Sequence, residues 1–194
     1  TRRIRRRSDV PISALVTARA LGVKRILVVC QAVGIGVWQR AIHKWLPDSY
    51  LTTVRGDGAF QAYEGGEGVW LTNYGQLMGT RDNGRWRYLK ASRPELMIVD
   101  EAHTINGPSG KQGAAVRLLA KHTGAMKLLM SGTIAHDSSG YWAPFHWICP
   151  DVFPFDKNFT TDKIAPNGDI IPSYENWAFV MGGPDGNWRL KEKP

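Results

Sequence analysis

The stretch that most narrows the possible folds is "RILVVC", residues 25–30. After its leading arginine the run is wholly apolar and rich in β-branched side chains. Such a strand has no polar face to turn toward water, so it belongs in a parallel sheet covered on both sides. The segments around it fit that plan. "SDVPISALVTARALG" reads as a helix: Ser8 or Asp9 can cap it, Pro11 suits the first turn, Ile12, Leu15 and Val16 share a face, and Gly22 can end it. "GVWQRAIHKWL" (36–46) has helical spacing, with Val37, Ala41 and Trp45 on one side and Pro47 as a stop. "YLTTV" (50–54), "GVWLTNY" (68–74), "LMIVD" (96–100) and "KLLMSGT" (127–133) read as further strands. "NYGQLM" reads as a turn and short helix, and "SGKQGAAVRLLAKH" (109–122) as a helix after Ser109. "SSGYWAPFHWI" reads as a last helix interrupted near Pro144. "RDNGRWRYLKASRP" (81–94) is polar and basic and reads as a surface connection. Short apolar strands alternating with helices predict an α/β fold, a mostly parallel central sheet with helices on both faces. Ligands of such sheets sit beyond the C-terminal strand ends.

A chain of 194 residues, 43% hydrophobic, suffices for one substantial core. It divides into a basic arm (1–10), a compact α/β unit (11–150) and a loop- and hairpin-rich extension (151–194), where "IAPNGDII" and "MGGPDGNW" are turn signals. No stretch approaches the roughly 18 apolar residues of a membrane span, so no membrane association is expected. The formal charge of +8 favours a polyanion partner, but five of those charges are the arginines of "TRRIRRR" (1–7), and without them the balance is +3. That arm suits either a nucleic-acid contact or a solvated tail. Two distant cysteines, Cys30 and Cys149, suit a reducing compartment. His146 and Cys149 in "HWIC" have a spacing that can hold zinc, but no second ligand pair accompanies them, and apolar packing is the better account.

The chemistry concentrates in "VDEAH" (99–103). An aspartate at a strand end can hold Mg²⁺, usually through water, and a neighbouring glutamate can orient or deprotonate an attacking water. The plain alternative is a polar strand end whose carboxylate caps the next helix. A second rim element, "LLMSGT", brings Ser131 and Thr133 to another strand end, where ordinary turn chemistry is the alternative.

Cys30-Gln31-Ala32, Lys44-Trp45-Leu46-Pro47, Thr72-Asn73-Tyr74, Asp100-Glu101-Ala102-His103 and Ser131-Gly132-Thr133-Ile134 follow one another in a characteristic order. From about Pro11 to Phe155 the chain resembles the N-terminal RecA-like lobe of superfamily-two helicases, in the Swi/Snf branch of double-stranded-DNA translocases. The resemblance implies a three-layer sandwich of the P-loop NTPase type, with ATP and Mg²⁺ as cofactors. It implies that Asp100 holds the metal through water, Glu101 activates the hydrolytic water, and His103 links them to Ser131, Gly132 and Thr133, which couple hydrolysis to movement. Gln31, Ala32, Thr72 and Asn73 would lie near a DNA backbone, where polar groups hold phosphate without reading bases. Trp38 and Trp45 are expected in the core. A second RecA-like lobe would complete the site, in the cytoplasm of a bacterial or phage-infected cell or in a eukaryotic nucleus.

The pattern also departs from that family. A phosphate loop, Gly-x-Gly-Lys-Thr, should precede the first helix, where its backbone N–H groups cradle the triphosphate. Arg6, Arg7, Ser8, Asp9 and Val10 stand there instead, and the usual first strand is missing. Asp9 takes the place of the lysine. At 4 Å and an effective dielectric of 20, a unit-charge pair is worth about 4 kcal/mol, so the reversal is severe. Gln31 and Ile134 replace two prolines without removing a catalytic group. The expectation is an ATPase lobe that hydrolyses ATP very poorly or not at all as this chain alone. The alternatives are a non-hydrolysing DNA- or protein-binding module derived from such a lobe, and a different α/β enzyme with a fortuitous Asp-Glu-Ala-His.

Overall fold

The computed structural model describes residues 9–55, 66–78, 84–105, 110–132, 142–148, 163–164 and 170–171. Five strands form one parallel sheet: β1 (Arg25–Cys30), β2 (Leu51–Thr53), β3 (Gly68–Asn73), β4 (Leu96–Asp100) and β5 (Met126–Met130), in the order β2-β3-β1-β4-β5. Within the central strands, successive side chains enter two different cores. Leu27, Val29, Trp70, Met97 and Val99 face one side, and Ile26, Val28, Cys30, Val69, Leu71 and Ile98 the other. This is why the runs carry no polar alternation: every position of β1 after Arg25 is buried.

Helices α1 (Asp9–Ala20) and α2 (Ile35–Trp45) contribute Ile12, Leu15, Ile35, Trp38 and Ile42 to the second core. Helices α3 (Tyr74–Leu77), α4 (Gly84–Ala91), α5 (Lys111–Thr123) and α6 (Trp142–Ile148) cover the first with Tyr74, Leu77, Trp86, Leu89, Val116, Leu119 and Trp147. The expected α/β sandwich is therefore observed. Gly22, at φ +87°, turns the chain out of α1 with its N–H on the carbonyl of Arg19. Gly68 lets β3 start against β2: a Cβ there would sit 2.8 Å from the carbonyl oxygen of Tyr50. The "IAPNGDII" signal is a hairpin, with β6 (Lys163–Ile164) antiparallel to β7 (Ile170–Ile171). Among the described residues, no helix is long and apolar enough to cross a membrane.

Three expectations need correction. Residues 84–91 of the "surface connection" form helix α4, which buries Trp86 and Leu89, with Ser92 fully enclosed behind them. Trp86 and Leu89 are three residues apart, one helical step, and the arginines and lysine around them hide that spacing. On α2 the buried stripe is Ile35, Trp38 and Ile42, whereas Val37 and Trp45 are 43% and 53% exposed. Both stripes are apolar, so periodicity alone cannot choose between them. Trp45 thus lies outside the core, with the Lys44 ammonium 4.7 Å from its ring centroid. Finally, Pro144 does not interrupt α6. It is the third residue of that helix, within the first turn, where a missing N–H leaves no bond unmade.

Candidate functional site

Parallel strands deliver their C-terminal ends to one rim. Cys30 pairs in register with Asn73, and Asp100 with Met130, so Gln31, Asn73, Asp100, Glu101 and Ser131 emerge side by side. Asp100 ends β4 half-buried, and both its oxygens are engaged by neutral donors. The Glu101 backbone N–H donates to Oδ1 at 3.0 Å, and the Trp38 indole N–H donates to Oδ2 at 2.8 Å. Among the described residues no lysine or arginine forms an ion pair with Asp100 or Glu101.

Glu101 takes φ +53°, a left-handed conformation unusual for a residue with a side chain. Its carbonyl accepts from the Thr104 hydroxyl at 2.7 Å. The Tyr74 hydroxyl donates to the Asp100 carbonyl at 2.6 Å and lies 3.5 Å from that of Glu101. Burial pushes the Tyr74 phenol well above its ordinary pKa, and the Asp100 charge adds to this, so it stays a neutral donor. His103, in the 3-10 turn Ala102–Ile105, places Nδ1 3.3 Å from Glu101 Oε2 and 3.2 Å from Ser131 Oγ. The direction of the Ser131 contact depends on which ring nitrogen carries the proton.

The other predicted residues separate. Gln31 and Ala32 are exposed in the turn that leads into α2. Asn73 is half-buried, and its Oδ1 caps α3 by accepting from the Gln76 N–H at 3.1 Å. Thr72 is fully buried and donates its hydroxyl to the Val54 carbonyl at 2.9 Å, so its side chain is not on the rim. That is a correction: β3 is covered on both faces, and Thr72 lies one residue short of its half-buried end. Gly132 is exposed beside Ser131. Thr133, residues 6–8 and Cys149 lie outside the described residues, and Asp9 and Val10 are the first two residues of α1. Cys30 is a free, buried thiol under the rim, 3.7 Å from the Thr72 carbonyl, and burial followed by the Asp100 charge pushes it up to about 12. Sequence reasoning missed Trp38 and Tyr74 as partners of the acid pair. The only signal was that each carries a polar atom that must be satisfied once its ring is buried.

The donor set can be tested against a metal. No cluster of three or more His, Cys, Asp or Glu side chains able to chelate an ion exists among the described residues. That excludes an all-protein cage there but suits Mg²⁺, which keeps most of its waters and takes one carboxylate plus substrate phosphates. Asp100, unneutralised and with lone pairs to spare on both oxygens, fits that role.

Comparisons with known proteins agree with the α/β fold. A search of curated protein sequences finds no match. Among solved structures, the chain is similar to a Sulfolobus solfataricus SWI2/SNF2 ATPase core domain at TM-score 0.61 and 19% identity, over 90% of this chain and 31% of that one. It is also similar to the Sulfolobus solfataricus SWI2/SNF2 ATPase core in complex with dsDNA, at TM-score 0.52 and 16% identity, over 73% of this chain and 34% of that one. The chain thus spans about a third of each, and at these identities the likeness establishes a RecA-like fold. The SNF2-related domain matches residues 12–190, beginning just after the basic arm and running past Phe155 through the hairpin region. With nearly its whole length inside that match, the chain belongs to the SNF2-related domain family.

Proposed function

We propose that this chain is the nucleotide-facing lobe of a DNA-dependent ATPase that couples hydrolysis to movement along double-stranded DNA. The observation that carries the reading is the pairing of Asp100 with Met130. It sets the acid pair and Ser131 on one rim, joined by His103 at 3.2 Å. In this reading Asp100 holds Mg²⁺ through water, and the ion would supply charge neutralisation for the phosphates. Glu101, its side chain 48% exposed, accepts a proton from the attacking water, while His103 fixes Oε2. His103 also relays the state of that carboxylate to Ser131, and through Gly132 and Thr133 to the following segment. Gln31, Ala32 and Asn73 face the DNA backbone. Support for a duplex partner comes from the similar archaeal ATPase core in complex with dsDNA.

Residues 1–21 contain no glycine, and Asp9 stands where a lysine would hold phosphate. On that ground this chain alone hydrolyses ATP very slowly or not at all, and a second RecA-like lobe completes the site. The same observation favours the second reading, a binding module that no longer turns nucleotide over. Equilibrium binding of a fluorescent ATP analogue, with and without Mg²⁺, separates the two. Mg²⁺-dependent binding that Asp100→Asn abolishes is the expected result. DNA binding that ignores nucleotide, with no Mg²⁺-dependent uptake, sinks the ATPase reading and leaves the binding module.

A further inference from the structure

The acid pair is gripped by two aromatic side chains, and each comes from a different rim segment. Trp38 lies one turn into α2, directly behind the exposed Gln31–Gly34 turn. A side chain at Gly34 would meet its Cδ1 at 3.9 Å. Tyr74 opens α3, immediately after Asn73. Both reach across the sheet to the same peptide: the indole N–H binds Asp100 Oδ2 at 2.8 Å, and the phenol O–H binds the Asp100 carbonyl at 2.6 Å. Both rings are buried, 4% and 2% exposed, so neither donor has water as an alternative.

Packing alone does not account for this. A buried tryptophan whose only task is to fill space is best served by a nearby backbone carbonyl, as Trp86 is by that of Leu77 at 3.3 Å. Trp38 instead spends its single donor on the one carboxylate that ends β4. A carboxylate at a strand end rotates freely about χ2 unless both oxygens are held. Here the Glu101 N–H holds one oxygen and Trp38 the other, so the plane of the carboxylate is set before any ligand arrives. Tyr74 fixes the same residue's carbonyl, and with it the peptide leading into the left-handed turn at Glu101. Donors of this kind, one step behind a metal-facing group, set its orientation.

We infer that Trp38 and Tyr74 are positioning residues that orient Asp100 and Glu101 toward the metal–nucleotide ligand, from rim segments that themselves face the proposed DNA. Trp38 acts on the carboxylate and Tyr74 on its backbone, so Trp38 carries the larger effect on metal requirement. The inference rests on the metal-facing reading of Asp100, and the test has arms that separate the two.

The first arm needs no metal. In the full chain labelled with ¹⁵N at the tryptophan indoles, Asp100→Asn moves the Trp38 indole N–H resonance and speeds its exchange with water, while the indole signals of Trp70 and Trp86 stay in place. The second arm measures Mn²⁺ uptake with ATP by electron paramagnetic resonance. Trp38→Phe removes the donor but keeps an aromatic ring, and it raises the Mn²⁺ concentration for half-saturation by about 10-fold or more, the usual size for such a partner. Tyr74→Phe raises it less. An indole signal that ignores Asp100→Asn overturns the inference, as does a Trp38→Phe protein with the wild-type Mn²⁺ requirement. If the wild-type chain takes up no Mn²⁺ with ATP, the metal-facing reading fails and the positioning role with it, while the indole arm still reports whether the contact exists. If Trp38→Phe does not fold, the Asp100→Asn arm and Tyr74→Phe decide the matter.

Discussion

The strand β4 has a carboxylate at each end, and the two ends are built differently. Glu95, just before the strand, is neutralised. Its Oε1 meets the Arg25 guanidinium at 2.8 Å, and its Oε2 accepts the backbone N–H groups of Lys24 and Arg25 at 2.6 and 3.1 Å. Nearby, Lys24 pairs with Glu67 at 2.7 Å. Asp100, at the other end, is held by an indole, a backbone N–H and no cation among the described residues. One rim spends its acids on holding strands together. The other holds Asp100 with neutral donors and, among the described residues, pairs neither acid with a lysine or arginine. The left-handed Glu101 belongs to that second rim, and strain of this sort is commonly stored where chemistry occurs.

The largest contrast should appear in metal-dependent nucleotide binding. Asp100→Asn is expected to abolish it, and Glu95→Gln to leave it unchanged, as measured by titration with Mg²⁺ present. Equal losses in the two variants would erase the distinction between the rims.

The reverse contrast is one of stability. Partial burial alone would raise the Glu95 pKa, but the Lys24 and Arg25 N–H groups and the Arg25 charge outweigh it, so the carboxyl sits below its ordinary value of 4.5. A depressed folded-state pKa contributes stability above the unfolded value, and that stability is lost as pH falls from about 4.5 through the folded value. Glu95→Gln should therefore destabilise the chain by about 1 kcal/mol at neutral pH, the low end for a charged hydrogen bond because the side chain is a third exposed. It should also flatten the acid limb of the unfolding curve. Denaturant melts at pH 7 and pH 3.5 check both points.

Each rim also carries a left-handed non-glycine residue, Arg93 at φ +43° and Glu101 at φ +53°. Glycine at either position should stabilise the fold by about 0.5–1 kcal/mol, the relieved strain less the added chain entropy. On the proposed ATPase reading, only Glu101→Gly should abolish hydrolysis. A stabilised Glu101→Gly protein with full activity would show the Glu101 carboxylate to be dispensable. The smallest effect concerns Cys30. Pushed up to about 12 under the site, it should resist alkylation in the native protein and react only on unfolding, as peptide mass spectrometry would read.

Much of this was legible in the residues. Apolar runs without alternation gave away a sheet buried on both faces, because water tolerates no such strand at an open surface. The order from Cys30 to Ser131 placed the acids at a strand end. Helix α4 was hidden because its two buried residues, Trp86 and Leu89, sit among three basic ones, Arg85, Arg87 and Lys90, and only the uncovered sheet face calls them inward. Thr72 looked like a rim residue by motif, but the layers covering both faces of β3 buried it.

The sequence by itself determined most of the strands and helices, α4 excepted, and which end of β4 bears the acid pair, because periodicity, caps and local apolar runs are properties of neighbouring residues. Only the tertiary structure decided which stripe of α2 faces the sheet, that Trp38 rather than a lysine or arginine holds Asp100, and that Tyr74 secures the turn behind it. Those choices join residues 62 and 26 positions apart. No local pattern encodes them; they follow from which buried donors the closed sheet leaves within reach of which acceptors.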